Sequence, residues 1–366
     1  MQIAIVGLAG SGKTTVFNTL TRGHAETGGF GGLTVNVGVV KVPDERLERL
    51  TALFKPRREV PADVTYIDLP APPSATEAGG ANDLPAEALA RLRNADALLH
   101  VVRAFEDPAV PHPDGSVDAG RDLERFELEF VLADLAVAEK RLEKLRTTGR
   151  HGTAAEREAN ERDAVVLEHI VPALSAGQPI RDLGLAEDEA KIVRGYRFLT
   201  EKPELVLLNV GEGDLGGSEA LVAGMTARNE HKDTLVDALS ARIEMEIGEL
   251  DDESAAVFRA ELGLAESSLD RVIRLSYRLL GLVSFFTAGP DETRAWTIHD
   301  GDDAVAAAAA IHTDLARGFI RAEVVLCEDL LAAGSMAEAR RHGKLRSEGK
   351  TYRVRDGDVI EILFNV

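Results

Sequence analysis

The chain has 366 residues, more than one hydrophobic core organises, so two or three domains are expected and a single small module is excluded. Hydrophobic residues make up 45% and charged residues 28%, with no apolar run near the roughly 18 residues of a membrane span, which argues against disordered and membrane-embedded classes. Acidic residues outnumber basic ones by 62 to 42, and the formal charge of −20 opposes broad coating of nucleic acid.

Residues 2–6 form a short apolar run that ends in Gly7 and gives way to a helical stretch from Lys13 to Leu20. Strand, glycine-rich turn and helix in that order open an α/β domain. The opening lacks a basic segment and a cleavage site, so it reads as a strand and not as a leader. Together with a single cysteine, Cys327, which cannot close an internal disulfide, it points to the cytoplasm. Further strands are expected at 35–42, 64–69, 97–102 and 205–209, separated by polar or helical stretches, which implies a mostly parallel sheet.

From Gly120 to about Ala176 the pattern changes. Leu128, Val131, Leu132, Leu135, Val137, Leu142 and Leu145 recur at three- and four-residue spacing, and a turn at 148–152 precedes a second helical stretch, which predicts an antiparallel hairpin. Lying between two strands of the first domain, the hairpin (120–199) reads as an insertion, and the first domain as discontinuous (1–119 and 200–282). Beyond Leu282, residues 294–298 alternate like a strand and 304–311 are helix-like. Residues 352–354 and 359–364 flank Asp356-Gly357-Asp358 and predict a β-hairpin, so 283–366 form a small α+β module. Trp296 reads as a core residue. The nine histidines contain no i, i+4 pair, which argues against a histidine metal site.

The chemistry is concentrated at the first turn. Gly7-Leu8-Ala9-Gly10-Ser11-Gly12-Lys13-Thr14 satisfies G-x-x-x-x-G-K-[ST] between a strand and a helix. Its glycines let backbone N–H groups converge into a nest for phosphates, and the following helix offers its positive end. Lys13 supplies an ammonium for the β- and γ-phosphate oxygens and Thr14 a hydroxyl for Mg2+. Asp68, at the end of the 64–69 strand, is the candidate carboxylate beside the metal; a cap before Pro70 is the alternative. Base recognition is expected at Asn209-Val210-Gly211-Glu212. A GTPase would carry Asn-Lys-x-Asp there, so Glu212 and Val210 relax or invert a guanine preference toward adenine.

With these residues in place, the sequence resembles the Obg-like ATPase family, known in bacteria as YchF. The likeness extends through Asn36 to Leu47, Asn209 to Glu212, Ser240-Ala241, Glu249 to Glu253, Phe286 to Gly289, Arg294 to Ile298, Ile311 to Asp314, Gly318 to Glu323 and Asp356 to Val359. It implies a P-loop G domain, the inserted helical hairpin and a C-terminal TGS-like (β-grasp) domain. It also implies that Gly10 to Thr15 hold the phosphates, that Thr14 ligates Mg2+, that Asn209 with the Val210 backbone reads the base, and that Ser240 belongs to the same nucleotide-binding set. The expected activity is slow hydrolysis of ATP, with GTP as an alternative nucleotide, coupled to ribosome or RNA contact through the TGS-like module and the basic segment 340–355. For that segment a solvated loop with charged edges is the alternative.

Two departures from the family pattern stand out. Gly32 occupies the position of the switch I threonine, with Thr34 two residues away, and Asp68-Leu69-Pro70-Ala71 replaces Asp-x-x-Gly. They keep open a second reading, a regulatory or scaffold protein that binds nucleotide without turnover. A P-loop kinase is a third reading, and no arginine-rich lid follows the loop to support it.

Overall fold

The computed structural model describes residues 1–23, 35–69, 86–149, 151–264 and 266–365. The strands are, in chain order, β1 (Gln2–Val6), β2 (Asn36–Lys41), β3 (Arg58–Val60), β4 (Asp63–Asp68), β5 (Ala97–Ala104), β6 (Glu204–Val210), β7 (Thr234–Leu239), β8 (Leu282–Ala288), β9 (Glu292–His299), β10 (Phe319–Leu326), β11 (Arg346–Glu348) and β12 (Asp358–Phe364). Two units emerge, Met1–Gly38 with Thr65–Leu269, and Val39–Val64 with Asp270–Val366. The placement of residues 39–64 with the C-terminal unit was not visible in the sequence. It follows from β3, which pairs in parallel with β9 from Arg58 opposite Glu292 to Val60 opposite Arg294.

In the first unit the sheet runs β2-β4-β1-β5-β6-β7, and the successive pairs β4/β1, β1/β5, β5/β6 and β6/β7 are parallel. Strands covered on both faces lose their polar alternation, and every residue of β6 is buried. Leu98, Val6 and Ala4 pack against Phe126 and Phe130 of the helix Ala119–Thr148, each ring almost fully buried. A side chain of that size contributes about 2–3 kcal/mol through its lost water contact.

The predicted hairpin is present as Ala119–Thr148 and Ala154–Ser175. The second helix starts at a capping box, Thr153 accepting from the Glu156 N–H while Glu156 accepts from the Thr153 N–H. Val131, Ala138, Leu142 and Leu145 meet Val166, Leu167, Ile170 and Leu174 across the pair. Leu128 and Leu132, part of the same spacing, face solvent instead, at 50% and 54% exposure. The first helix already buries two stripes, one on the sheet and one on its partner helix, and these leucines lie on neither.

At the amino-terminal ends of β5 and β6 a charged network is sealed in. Glu204 lies between Arg181 Nη2 and His100 Nδ1, each at 2.9 Å, while Arg181 also reaches Glu127 at 3.3 Å. Two acids thus share one guanidinium. Burial, reinforced by the neighbouring Glu204, pushes the Glu127 carboxyl up to about 7, against the pull of Arg181 and the hydrogen bond from Asn229. An acid whose folded pKa exceeds its unfolded value weakens the fold as pH rises from about 4.5 to about 7. Glu127→Gln is therefore expected to gain about 2 kcal/mol over wild type in urea unfolding at pH 8 and almost nothing at pH 5. An equal effect at both pH values would contradict this origin.

In the second unit the sheet runs β11-β10-β12-β8-β9-β3 around Phe285, Ile298, Phe319, Ala322, Val324 and Ile360. The helix Ala304–Ile311 presents Ala304, Ala307 and Ala308 to that core, so the alanine run is a close-packing face. Trp296 lies against the same cluster, its Nε1–H donating to Thr287 Oγ1 at 2.9 Å. The expected hairpin of 352–354 with 359–364 does not form. β12 instead pairs antiparallel with β10 and parallel with β8, and the 352–354 segment makes a single bridge, Arg353 to Asp303. Its backbone is committed elsewhere, because the Tyr352 carbonyl accepts from Ala304 N–H and the Val354 N–H donates to Asp302. The buried Asp358 carboxylate, accepting from the Arg355 N–H and the Tyr352 hydroxyl, folds the turn inward.

Candidate functional site

The phosphate loop leaves β1 at Gly7 and enters the helix Lys13–Thr21 through Gly12. Gly7, Gly10 and Gly12 take φ of 140°, 75° and 94°, conformations that L side chains avoid. An added Cβ at Gly7 would stand 2.3 Å from the Val101 carbonyl oxygen, and at Gly12 2.3 Å from Asn209 Nδ2. No side chain caps the helix, which leaves the first-turn N–H groups facing the loop for an anion. Ser11 is buried and its hydroxyl has no partner. The Thr15 carbonyl accepts from Thr19 Oγ1 at 2.7 Å within the helix.

Lys13 folds back onto the loop, donating from Nζ to the carbonyls of Gly7 (2.9 Å) and Leu8 (2.8 Å). Burial lowers its pKa to about 8, partly countered by Asp68. Asp68 ends β4 opposite Ile5 and is 3% exposed. Its Oδ2 accepts from Thr14 Oγ1 at 3.0 Å and from Asn36 Nδ2 at 3.3 Å, whereas Oδ1 is buried without a partner. Desolvation raises the Asp68 pKa, opposed by Asn36, Thr14 and Lys13. A hydroxyl and a half-satisfied carboxylate, both hard oxygen donors, fit a Mg2+ ion with retained waters. Sequence reasoning gave Asn36 no role; its signal is a polar residue directly before the run Val-Gly-Val-Val in the same strand.

Asn209 braces the loop from the next strand but one. Its Nδ2 donates to the Ser11 carbonyl at 3.0 Å and its Oδ1 accepts from the Ala241 N–H at 3.1 Å. One amide thereby joins β6, the phosphate loop and the start of the helix Ala241–Gly248, for which buried Ser240 is the N-cap. Val210 is 2% exposed and its side chain belongs to the core of the unit. Glu212 is exposed at the first residue of the short turn Glu212–Gly217. The structure thus brings Gly7, Gly10, Ser11, Gly12, Lys13, Thr14, Asp68, Asn209 and Ser240 into one neighbourhood linked by hydrogen bonds and close approach. Glu212 makes no such link. Gly32, Thr34, Pro70 and Ala71 lie outside the described residues.

Sequence reasoning also passed over Arg103. It stands opposite Asn209 in the β5–β6 register and is 3% exposed, beside the phosphate loop. A charged residue closing an apolar strand next to a glycine-rich loop is the signal that was available.

Part of the basic segment of the second unit is ion-paired with its neighbours. Arg340 pairs with Glu323, Arg341 with Glu338, and Lys344 with Asp329 at 3.1 Å. Arg346 reaches Glu348 at 3.2 Å and Asp358 at 3.5 Å, and Arg353 donates to the Gly301 carbonyl. Among the described residues no helix is long and apolar enough to cross a membrane.

Comparison with known proteins places this geometry in context. Residues 2–171 match the family described as 50S ribosome-binding GTPase, and residues 282–365 match the YchF GTPase C-terminal family, described as a protein of unknown function. The ribosome-binding ATPase YchF of Bacillus subtilis is 40% identical over 376 residues, covering all of both chains. The proteins of the same name from Haemophilus ducreyi and Escherichia coli O157:H7 are 39% and 38% identical, each over all of this chain and 99% of their own. The solved YchF GTPase of Schizosaccharomyces pombe superposes with a TM-score of 0.84 at 31% identity, covering 99% of this chain and 97% of that one.

Proposed function

The chain belongs to the YchF family, and from that premise we propose that it binds ATP with Mg2+, hydrolyses it slowly to ADP and phosphate, and couples occupancy of the loop to contact with the ribosome. The observation that carries this reading is the braced phosphate loop, with three glycines at positive φ, an uncapped helix start and Lys13 and Thr14 directly behind them. Lys13, released from the carbonyls of Gly7 and Leu8, is the charge for the transferring phosphoryl group. Thr14 and Asp68 would hold Mg2+, which when bound neutralises charge on the phosphate oxygens.

Asn209 and the backbone at Val210 serve the base, with Glu212 in place of the aspartate that selects guanine. With Val210 turned into the core, no lysine stem stands there to cover the base, which supports ATP as the preferred ligand and GTP as the weaker one. Slow turnover is supported by Gly32 and by Asp68-Leu69-Pro70-Ala71, which lacks the glycine of Asp-x-x-Gly. Ribosome contact, and with it a cytoplasmic setting, rests on the names of the relatives. We assign that contact to the TGS-like module 283–366, with the nucleotide-binding domain drawn back from the expected 1–119 and 200–282 to 1–38, 65–119 and 200–269, and the hairpin at 120–199. Because Arg340, Arg341, Lys344 and Arg346 are already paired with carboxylates, they offer a phosphate backbone less free charge than the sequence of the segment suggests.

Calorimetric titration with non-hydrolysable ATP and GTP analogues, with and without Mg2+, tests the ligand, and co-sedimentation with 50S subunits tests the partner. The expected result is tighter ATP than GTP binding, strengthened by Mg2+, and a pelleted fraction that differs between the ATP analogue and ADP. Absence of binding to either nucleotide would overturn the reading.

A further inference from the structure

Arg103 carries a charge that the described protein does not neutralise. Its Nε donates to the Phe105 carbonyl at 3.1 Å, its Nη2 reaches the Asp107 carbonyl at 3.5 Å, and its guanidinium carbon stands 4.7 Å from the Phe105 ring centroid. Nη1 is buried without any acceptor. Among the described residues no carboxylate lies within ion-pair distance of it, although the side chain is almost wholly removed from water. Burying an unpaired charge costs several kcal/mol even after relaxation, and a guanidinium cannot relieve the cost by losing its proton.

The unpartnered edge of Arg103 faces the phosphate loop. A Cβ at Gly10 would lie 3.5 Å from Arg103 Nη1, so the unpartnered N–H group abuts the apex of the phosphate loop. Arg103 is also the register partner of Asn209, whose amide grips the Ser11 carbonyl, so both side chains converge on the same loop from adjacent strands. We propose that Arg103 is a second cation of the phosphate site and that the phosphate charge of the bound nucleotide is its counter-ion. This inference rests on the nucleotide-binding reading above and adds a residue to it. Arg103 thereby adds a positive charge to the loop that a bound phosphate balances.

A structural role, pinning the 105–110 segment beside the loop, makes a different forecast. Arg103→Gln and Arg103→Lys, titrated with ADP and with inorganic pyrophosphate and unfolded in urea without ligand, separate the two. Arg103→Gln is expected to weaken both ligands about tenfold or more, since a charge-assisted contact is lost, while the empty protein unfolds at the same or higher urea. Arg103→Lys should recover most of the affinity. Unchanged affinity in Arg103→Gln while wild type binds both ligands would overturn the proposal and leave the nucleotide reading standing. Weakening confined to ADP, or loss of empty-state stability with undiminished ligand affinity, would also overturn it. Failure of wild type to bind ADP or pyrophosphate would remove both readings together.

Discussion

Lys13→Ala is expected to weaken ATP binding about 100-fold while leaving the unfolding free energy of the empty protein within about 1 kcal/mol of wild type. Lys13 is 7% exposed and spends its hydrogen bonds on the carbonyls of Gly7 and Leu8. Its partners are neutral backbone groups, and burial draws its pKa down to about 8, so its charge opposes the fold and offsets the packing that its stem contributes. An approaching polyphosphate replaces those carbonyls with charged oxygens, and the ammonium then contributes what it could not before. Calorimetry for affinity and urea titration for stability read the two effects separately. A variant that binds ATP as wild type does would show that the lysine never leaves the loop carbonyls.

Gly7→Ala has the opposite signature, with fold and ligand lost together. The backbone at Gly7 has φ 140°, and a Cβ there meets the Val101 carbonyl oxygen at 2.3 Å. The obstacle is backbone of a strand hydrogen-bonded to both neighbours, so it has no rotamer to yield. A loss of about 3–4 kcal/mol and failure to bind ATP are expected. Gly10→Ala is the internal comparison, because its nearest neighbours are side-chain atoms of Val110 at 3.2 Å and Arg103 at 3.5 Å, which can move. Equal stabilities for the two variants would show that positive φ alone, and not the approach of Val101, sets the requirement for glycine.

The part of the site written in the sequence is the part that is local in the chain. The phosphate loop needs glycines, lysine and threonine within eight consecutive positions, and the strand and helix around it announce themselves through apolar runs. Asp68 was accessible for the same reason, as the polar end of a short strand. What escaped depends on partners distant in sequence. Asn36 acquires its role from Asp68, and Arg103 from Gly10, and neither pairing leaves a local mark. β3 has three residues, Arg58-Glu59-Val60, with no apolar run, and becomes a strand only because β9 offers an edge. The 352–364 hairpin failed for the converse reason, since a good local turn signal at Asp356-Gly357-Asp358 lost to sheet partners recruited from β8 and β10. Leu128 and Leu132 show the limit of periodicity, which marks a helix but not which of its faces are covered.

The inserted helices add reach at little thermodynamic cost. The first has 30 residues, and at 1.5 Å per residue that is about 45 Å of rod. Its proximal Phe126 and Phe130 anchor it to the sheet, whereas distal Leu142 and Leu145 belong to a separate cluster with the returning helix. Both ends of the insertion leave and rejoin adjacent strands, β5 and β6. Doubling such an excursion adds only about 0.6 kcal/mol of closure entropy. Its length can therefore change at little cost to the strands and the phosphate loop that it interrupts.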